Sequence, residues 1–311
     1  MTDHGEIFAA SPLVLASRAS ALAMAQAEIV QDRLRPLPSD ILSLTTRGDR
    51  ILDRSLADAG GKGLFVKELE RRLLSGDCDA AVHSMKDMET TFADGTVIAA
   101  VLPREDRRDA LVGGFDSLDA LPDGAVVGTA SVRRKAILLH RRPDLRIELL
   151  RGNVNTRLAA LAEGRYDAII LAMAGLRRLQ LDVPHVPIDQ AVMPSAAAQG
   201  ALAIQTCEAG TARRDAVIAA CAALNCPHAA AEVSAERALL AHLDGSCHTP
   251  IAASAAHAAG GGLTLDAMIL SPDGSAAHRA GISGPAAESE RLGRELGEQL
   301  LLEAGGRDFL A

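Results

Sequence analysis

The sequence is poor in aromatic residues and in lysine. Its 311 residues include no Trp, one Tyr and five Phe, and only four of the 32 basic side chains are Lys. So few aromatic residues argue against a surface on which nucleic-acid bases stack. The net charge of −8 argues against a general nucleic-acid binder, which needs a positive surface. Because Arg supplies most of the positive charge, a single Arg is weak evidence for a functional site, and each of the four Lys is more informative in this respect.

Other absences narrow the class of protein further. No run of about 18 apolar residues is present, so no membrane-spanning helix is predicted. The first residues lack the basic region of a signal peptide. The five cysteines form no CxxC pair, so neither a disulfide framework nor a metal site is predicted. With 48% hydrophobic and 23% charged residues, we expect a cytoplasmic globular protein of two or three domains.

The acidic total conceals an uneven distribution of charge. Residues 131–157 contain eight Arg or Lys against two Asp or Glu, a local charge of +6. Residues 225–311 contain five Arg against eleven Asp or Glu, a local charge of −6. We therefore expect the middle of the chain to bind anions, whereas the surplus of carboxylates lies elsewhere.

Short apolar strands alternate with amphipathic helices over the first 200 residues. Strands are predicted at residues 13–16, 41–44, 79–82, 97–101, 125–128, 146–150 and 167–171. Helices are predicted at residues 19–35, 132–140, 154–163 and 174–179, with another around Leu69 and Leu73. This alternation predicts βαβ units and mostly parallel sheets, in two α/β domains with a cleft between them.

The pattern changes after residue 225. Helices are predicted at residues 229–242 and 287–303, and strands at residues 251–257 and 263–270. A Pro- and Gly-containing turn at residues 271–274 follows the second strand. These elements predict a smaller C-terminal α+β domain.

The segment His83-Ser84-Met85-Lys86-Asp87 follows a predicted buried strand. Residues just beyond the carboxyl end of such a strand face the ligand crevice of an α/β sheet. An ionised Asp87 beside Lys86 would be suited to stabilising a cation or transferring protons. A surface ion pair is the alternative interpretation.

Two later strand ends carry Arg together with hydroxyl or amide side chains. Gly128-Thr129-Ala130-Ser131-Val132-Arg133-Arg134 opens one helix, and Arg151-Gly152-Asn153-Val154-Asn155-Thr156-Arg157 opens the next. Backbone N–H groups at a helix start, with Arg nearby, favour binding of carboxylate or phosphate. One alternative is that these are ordinary solvated helix ends. Another is a nucleic-acid-binding patch, although the scarcity of aromatic residues argues against it.

Two further segments are ambiguous by themselves. Gly60-Gly61-Lys62-Gly63 fails the phosphate-loop pattern, because no Ser or Thr follows Lys62, and the glycines favour a hinge from which Lys62 reaches a ligand. Cys247 lies in a loop after Gly245, where a thiol can be nucleophilic. An inert buried cysteine is the commoner alternative.

Taken together, these segments resemble the porphobilinogen deaminase (hydroxymethylbilane synthase) family, from about Leu13 to the C-terminal helix. The resemblance is carried by an ordered set of motifs: Thr46-Arg47-Gly48-Asp49, Gly60-Gly61-Lys62-Gly63-Leu64-Phe65, His83-Ser84-Met85-Lys86-Asp87, Arg104-Glu105-Asp106, Arg133-Arg134, Arg151-Gly152-Asn153-Val154 and the loop with Cys247. It implies two α/β domains like those of periplasmic binding proteins, residues 1–101 with 201–222 and residues 102–200. It also implies a third, α+β domain at residues 223–311.

The resemblance also implies a reaction. Members carry a dipyrromethane cofactor, assembled from two porphobilinogens and attached to a cysteine by a thioether. Four porphobilinogens are added to it in turn, each with loss of ammonia, and hydrolysis releases hydroxymethylbilane. We therefore expect porphobilinogen as the small-molecule partner of a monomeric transferase, with no nucleic acid and no membrane.

The motif positions carry over residue by residue. Asp87 matches the catalytic carboxylate, which stabilises the cationic azafulvene left by loss of ammonia, and Cys247 matches the cofactor anchor. The residues implied to bind the cofactor are Ser84, Lys86, Thr129, Ser131, Arg133, Arg134 and Gly152. Those implied to bind substrate carboxylates are Arg18, Ser20, Lys62, Arg151, Arg157 and Arg178.

The sequence departs from the family pattern at five places, none of which removes a principal catalytic group. They are Asp58 in place of a Lys, Met88-Glu89 in place of Val-Pro, Asn155 in place of a Gly, Ala198-Gln199-Gly200 in place of Gly-Gln-Gly, and Ser246 in place of a Gly. A non-catalytic anion-binding module is the rival interpretation, because the two α/β lobes also resemble solute-binding proteins, and a ligand-sensing regulator is a weaker rival. Neither would require Asp87 and Cys247 together.

Overall fold

The computed structural model describes residues 4–45, 66–245, 249–258 and 261–310. Contacts divide the chain into two compact units: unit 1 comprises residues 1–104 and 201–230, and unit 2 comprises residues 105–200 and 231–311. The three-domain division with boundaries at residues 101, 200 and 222 stays a prediction. Within the described residues no single helix is long and apolar enough to cross a membrane. The two consecutive helices at residues 212–222 and 227–242 together have the length and composition of a membrane span, but the chain bends by 99° between them.

The strands of the described residues have the following bounds: β1 Leu13–Arg18, β2 Ser39–Leu44, β3 Ala80–Ser84, β4 Thr96–Val101, β5 Asp109–Val112, β6 Val126–Gly128, β7 Arg146–Glu148, β8 Ala168–Ala172, β9 His185–Pro187, β10 Leu202–Cys207, β11 Ile251–His257, β12 Gly262–Leu270 and β13 Ala277–Pro285. The helices are α1 His4–Ala10, α2 Ala21–Leu34, α3 Lys67–Ser75, α4 Val132–Arg141, α5 Val154–Ala162, α6 Met173–Arg178, α7 Ala212–Ala222, α8 Pro227–His242 and α9 Ser289–Glu303.

Unit 1 contains a five-stranded sheet in the order β2-β1-β3-β10-β4. β1 pairs in parallel with β2 and β3, whereas β10 runs antiparallel to both β3 and β4. The core of this unit includes Phe8, Leu13, Leu15, Val30 and Ile204, all fully buried.

Unit 2 contains a second five-stranded sheet, β7-β6-β8-β5-β9, with the same pattern of directions. β6 is parallel to β7 and β8, and β5 is antiparallel to both of its neighbours. The expectation of mostly parallel sheets therefore holds for strand direction, since four strands of five agree. It is wrong for the pairing of strands, because β10 in the first sheet and β5 in the second each run antiparallel to both neighbours, so half of the strand pairs are antiparallel.

The C-terminal part of unit 2 is an antiparallel sheet, β11-β12-β13, packed on α9. It shares one apolar core with the second five-stranded sheet, since Met268 and Leu270 pack with Leu111 and Ile137. The α/β class with a smaller C-terminal α+β region is thus confirmed. The cleft between the two α/β domains stays a prediction.

A tight turn of the C-terminal sheet packs directly on α4. Gly274 has a φ of +76°, and a Cβ atom there would lie 2.6 Å from the carbonyl oxygen of Ala136 and 2.8 Å from the amide nitrogen of His140. Nδ1 of His140 lies 3.0 Å from the carbonyl oxygen of Gly274. Only glycine fits this position, and the contact fixes α4 from the side of the C-terminal sheet.

Candidate active site

The turn that carries Asp87 begins where buried strand β3 ends. A single turn of 3-10 helix, Met85–Asp87, follows Ser84 directly. Met85 is buried under this turn, whereas the side chain of Asp87 is exposed. The local sequence therefore anchors the turn through an apolar side chain and presents a carboxylate at the end of the strand.

Helix α2 fixes the hydroxyl group of Ser84. The Ser84 Oγ donates to Oε1 of Gln26 at 3.1 Å and accepts from Nε2 of Gln26 at 2.8 Å. Gln26 is itself buried. The serine is thus held in one orientation immediately before Lys86 and Asp87.

Arg18 and Ser20 lie at the same edge of the sheet. β1 ends at Arg18 and runs parallel to β3, and parallel neighbours bring their carboxyl ends together. The Ser20 Oγ accepts from the amide of Ala23 at 3.3 Å and so caps α2. The structure therefore gathers five of the predicted residues, Arg18, Ser20, Ser84, Lys86 and Asp87, into what we call the first cluster.

His83 lies buried on β3, just before this turn. Burial, with a smaller contribution from the positive charge of Arg18, lowers the pKa of His83 from 6.5 to about 4, against a hydrogen bond with Gln205 that raises it. His83 is therefore neutral at neutral pH.

This lowered pKa predicts a loss of stability in acid. The unfolded chain binds a proton near pH 6.5 and the folded chain only near pH 4, so stability falls as the pH drops through that interval, by roughly 3 kcal/mol. Denaturant unfolding at several pH values measures it. His83→Gln should flatten this part of the profile, because it removes the buried imidazole. A profile of His83→Gln equal to that of the parent protein would contradict the assignment.

Unit 2 presents hydroxyl groups after β6. The Thr129 Oγ1 accepts from the amide of Ser131 at 3.2 Å, and the Ser131 Oγ accepts from the amide of Arg134 at 3.4 Å, which caps α4. The chain thus turns sharply from the strand into the helix. Thr129 is buried and Ser131 is half-buried.

The arginines at the start of α4 are buried and share one carboxylate. Nη2 of Arg133 donates to Oδ2 of Asp109 at 2.7 Å, and Nη2 of Arg134 donates to Oδ1 of Asp109 at 2.7 Å. All three side chains are almost inaccessible to water. The predicted pair is therefore brought together, with a counter-ion that the sequence did not reveal.

The loop after β7 depends on Gly152. Its φ is +102°, and a Cβ atom there would lie 2.8 Å from Cγ2 of Thr156. Asn153 then caps α5, since its Oδ1 accepts from the amide of Thr156 at 2.9 Å. The Arg157 Nε donates to the carbonyl oxygen of Gly152 at 2.9 Å, which draws this side chain back toward Arg151. We call the predicted residues at the carboxyl ends of the parallel strands β6 and β7 the second cluster. Its members are Thr129, Ser131, Arg133, Arg134, Arg151, Gly152 and Arg157.

Arg178 stands apart, at the end of α6. Its Nη2 donates to the carbonyl oxygen of Gly200 at 2.6 Å. Burial lowers the pKa of Arg178 to about 10, although the charge of Glu105 opposes that shift. The neighbouring Arg177 pairs with Glu105 at 2.8 Å and with Asp106 at 3.0 Å, so these two acidic motif residues are ion-pair partners.

Several predicted residues lie outside the described residues. They are Lys62 and Cys247, with the motif segments at residues 46–49 and 60–65 and the departures at Asp58 and Ser246. Their assignments stay predictions.

Comparison with known proteins decides the family. The model of the porphobilinogen deaminase dipyrromethane cofactor binding domain matches residues 13–226, and the model of the porphobilinogen deaminase C-terminal domain matches residues 230–302. The porphobilinogen deaminase of Chromobacterium violaceum is 48% identical over 96% of this chain and 97% of its own length. That of Burkholderia orbicola is 49% identical over 93% of this chain and 87% of its own length.

The chain belongs to the porphobilinogen deaminase family. The predicted function, the transferase class and the dipyrromethane cofactor are thereby confirmed. Solved structures that resemble the chain include a periplasmic binding protein from Brucella ovis with glutathione bound, which is 13% identical with a TM-score of 0.40 and covers 78% of this chain and 73% of that one.

The residues of the second cluster fit the cofactor of this family. Its rings carry acetate and propionate groups, so its ligands should be cations and hydrogen-bond donors. The cluster supplies both kinds. Moreover, no described residue accepts a hydrogen bond from the buried Nε atoms of Arg133 and Arg134. Buried donors of this kind are rare, and a bound carboxylate would satisfy them.

Sequence reasoning did not reveal the roles of three buried residues that shape the site of this deaminase-family chain, although one of them, His83, belongs to a quoted motif. Asp109, Gln26 and His83 are buried polar side chains that hold or adjoin predicted residues. Asp109 left one signal, a charge at the head of the apolar strand Ala110-Leu111-Val112. A charge at the head of a buried strand indicates a partner, but not which one.

Proposed function

We propose that Asp87 is the catalytic carboxylate of a reaction that joins four porphobilinogen units and releases hydroxymethylbilane. In each condensation the bond between the aminomethyl carbon and nitrogen breaks, ammonia leaves, and a carbon–carbon bond forms to the free α-carbon of the preceding pyrrole, which loses a proton. The main support for this assignment is the exposed carboxylate of Asp87, which lies at the end of β3 on a turn anchored by the buried side chain of Met85.

Asp87 can act on the pyrrole nitrogen. Departure of ammonia leaves a cation in which positive charge is shared with that nitrogen, and an ionised carboxylate that accepts the pyrrole N–H stabilises it. The same carboxylate can take up a proton during bond formation. The hydroxyl of Ser84, held by Gln26, and the ammonium of Lys86 precede it closely in the sequence and bind the negative groups of the ligand.

The arginines bind the acetate and propionate groups of the growing chain. Guanidinium pairs with carboxylate in a bidentate manner, which suits it to this role. We assign these contacts to Arg18, Ser20, Lys62, Arg151, Arg157 and Arg178, and the cofactor contacts to Ser84, Lys86, Thr129, Ser131, Arg133, Arg134 and Gly152. When bound, the dipyrromethane supplies the pyrrole carbon onto which the first unit is added.

Cys247 is the proposed anchor, and the other cysteines are poorly suited to that role. Burial raises the pKa of Cys78 and of Cys221 to about 12, so both thiols stay protonated. The Sγ of Cys207 is buried and lies 3.2 Å from the carbonyl oxygen of Leu73. Cys226 is half-buried.

The protein is further proposed to act as a monomer in the cytoplasm, with no nucleic-acid or membrane partner. The net charge of −8 and the scarcity of aromatic residues support the absence of a nucleic-acid partner. Sedimentation of the purified chain with and without porphobilinogen tests the monomer.

Intact mass spectrometry tests the reaction itself. The purified chain should carry a mass equal to two porphobilinogens less two ammonias. Addition of porphobilinogen should then give a ladder of up to four further increments, each of one porphobilinogen less one ammonia. A chain that binds porphobilinogen without forming the ladder would be an anion-binding module instead.

Removal of Arg151 should arrest this ladder. Arg151→Leu deletes a cation at the carboxyl end of β7, so intermediates should accumulate at a fixed number of added units. Arg141→Leu is the matched control, because it removes a charge from the same basic segment at an exposed ion pair with Asp119. A normal ladder from Arg151→Leu would remove this residue from substrate binding. Arg134→Leu is the less informative variant, since it also leaves buried Asp109 short of a partner.

A further inference from the structure

The carboxylate of Asp109 is the centre of a buried polar network in unit 2. It accepts hydrogen bonds from Arg133, from Arg134 and, through Oδ1, from the Nε2 of Gln199 at 2.8 Å. Although burial alone would raise the pKa of Asp109, the two guanidinium groups lower it well below its usual range. The group is therefore ionised at neutral pH in the folded protein.

Each guanidinium is also fixed at its other end. Nη1 of Arg133 donates to the carbonyl oxygen of Pro194 at 2.7 Å, and Nη1 of Arg134 donates to that of Ile170 at 2.7 Å. Consecutive residues on a helix point about 100° apart, so these two side chains would otherwise diverge. A shared carboxylate makes them converge.

The charge of this network does not balance. Two cations and one anion leave one positive charge, in a place where water does not reach. Buried charge without a partner is strongly unfavourable, so two arginines without Asp109 would repel each other and seek other positions. The network thus holds the pair together and leaves one net positive charge, with two Nε donors that have no acceptor among the described residues.

We propose that Asp109, supported by Gln199, is the positioning residue for the Arg133–Arg134 pair, and that it sets the rate at which the protein acquires its covalent cofactor. This inference rests on the proposed function, because it takes the pair to bind the carboxylate groups of the dipyrromethane. Asp109 contacts no ligand in this role. It acts by fixing the two guanidinium groups before the ligand arrives.

The test follows cofactor acquisition rather than turnover. The chain is produced in cells that make no porphobilinogen, porphobilinogen is then added, and intact mass reports the loaded fraction with time, normalised to the folded fraction. Asp109→Asn should load at least about tenfold more slowly than the parent protein, because it removes the charge and turns an amide N–H toward a guanidinium. Asp109→Glu, which keeps the charge, should recover part of the rate.

A matched control separates positioning from general stability. Glu232→Gln breaks another partly buried ion pair of unit 2, that of Glu232 with Nη2 of Arg107 at 2.7 Å. It should lower stability yet load at the parental rate. Equal loading rates for Asp109→Asn and Glu232→Gln would show that Asp109 is merely structural and would overturn the inference.

A milder variant covers the case in which Asp109→Asn does not fold. Gln199→Leu removes one of the three hydrogen bonds to Asp109 and leaves both ion pairs. It should slow loading severalfold, and loading at the parental rate would overturn the inference. A parent protein that never acquires the two-unit mass would instead contradict the proposed function, so the two failures are distinguishable.

Discussion

Replacement of Asp87 by Ala should abolish nearly all turnover while leaving the fold intact. The side chain is exposed on a turn whose apolar anchor, Met85, is unchanged, so the cost in stability should be small. The cationic intermediate would lose its stabilising carboxylate, and a positioned acid or base contributes roughly 10²–10⁴-fold to rate. Steady-state consumption of porphobilinogen measures the effect, and thermal unfolding verifies the fold.

Two companion variants identify the cause of that loss. Asp87→Asn keeps the size of the side chain but not its charge, so it should be nearly as inactive as Asp87→Ala. Asp94→Ala, at another exposed carboxylate of unit 1, should keep full turnover. Turnover of Asp87→Ala within a few-fold of the parent protein would withdraw the catalytic assignment.

Replacement of Cys247 by Ser should eliminate the covalent mass altogether. A hydroxyl group is far less nucleophilic than a thiolate, so the thioether cannot form. The variant should be made at its unmodified mass and should form no ladder with porphobilinogen. Intact mass of the purified variant gives the answer directly.

Cys226→Ser is the control for this experiment. Cys226 is the half-buried one among the described cysteines and is therefore the strongest competitor for modification. This variant should keep both the two-unit mass and the ladder. Loss of the adduct from Cys226→Ser together with its retention by Cys247→Ser would move the anchor to the other thiol.

Most helices and strands were predictable because the spacing of their apolar residues follows the period of a helix or a strand. β11 and β12 coincide closely with the predicted strands at residues 251–257 and 263–270, and α4 extends the predicted helix by one residue. The strands β5, β9, β10 and β13 were not predicted, and the last two were missed for opposite reasons. β10 is entirely buried but contains Gln205 and Thr206, which hide its apolar character. β13 lies at a sheet edge, has no fully buried residue and turns few apolar side chains toward the core, among them Ala280 and Ile282, which is too few to show in the sequence.

The candidate site was predictable where its chemistry lies at strand ends. Lys86, Asp87, Arg151 and Gly152 follow strands along the chain, and that position is visible in a sequence. The partnership of Asp109 with the arginines was not visible, because it joins residues 24 and 25 positions apart and the buried state of these charges depends on packing. Likewise, Gln26 reaches Ser84 across 58 positions.

The turn at Gly274 has a consequence for any attempt to divide the protein. Because this turn packs on α4, and Met268 and Leu270 lie in the same core as Ile137, the C-terminal sheet is no detachable module. A fragment ending near residue 230 would expose the apolar face of α4, the helix that carries Arg133 and Arg134. Truncation, domain exchange and split-protein designs should therefore keep residues 105–200 and 231–311 on one polypeptide.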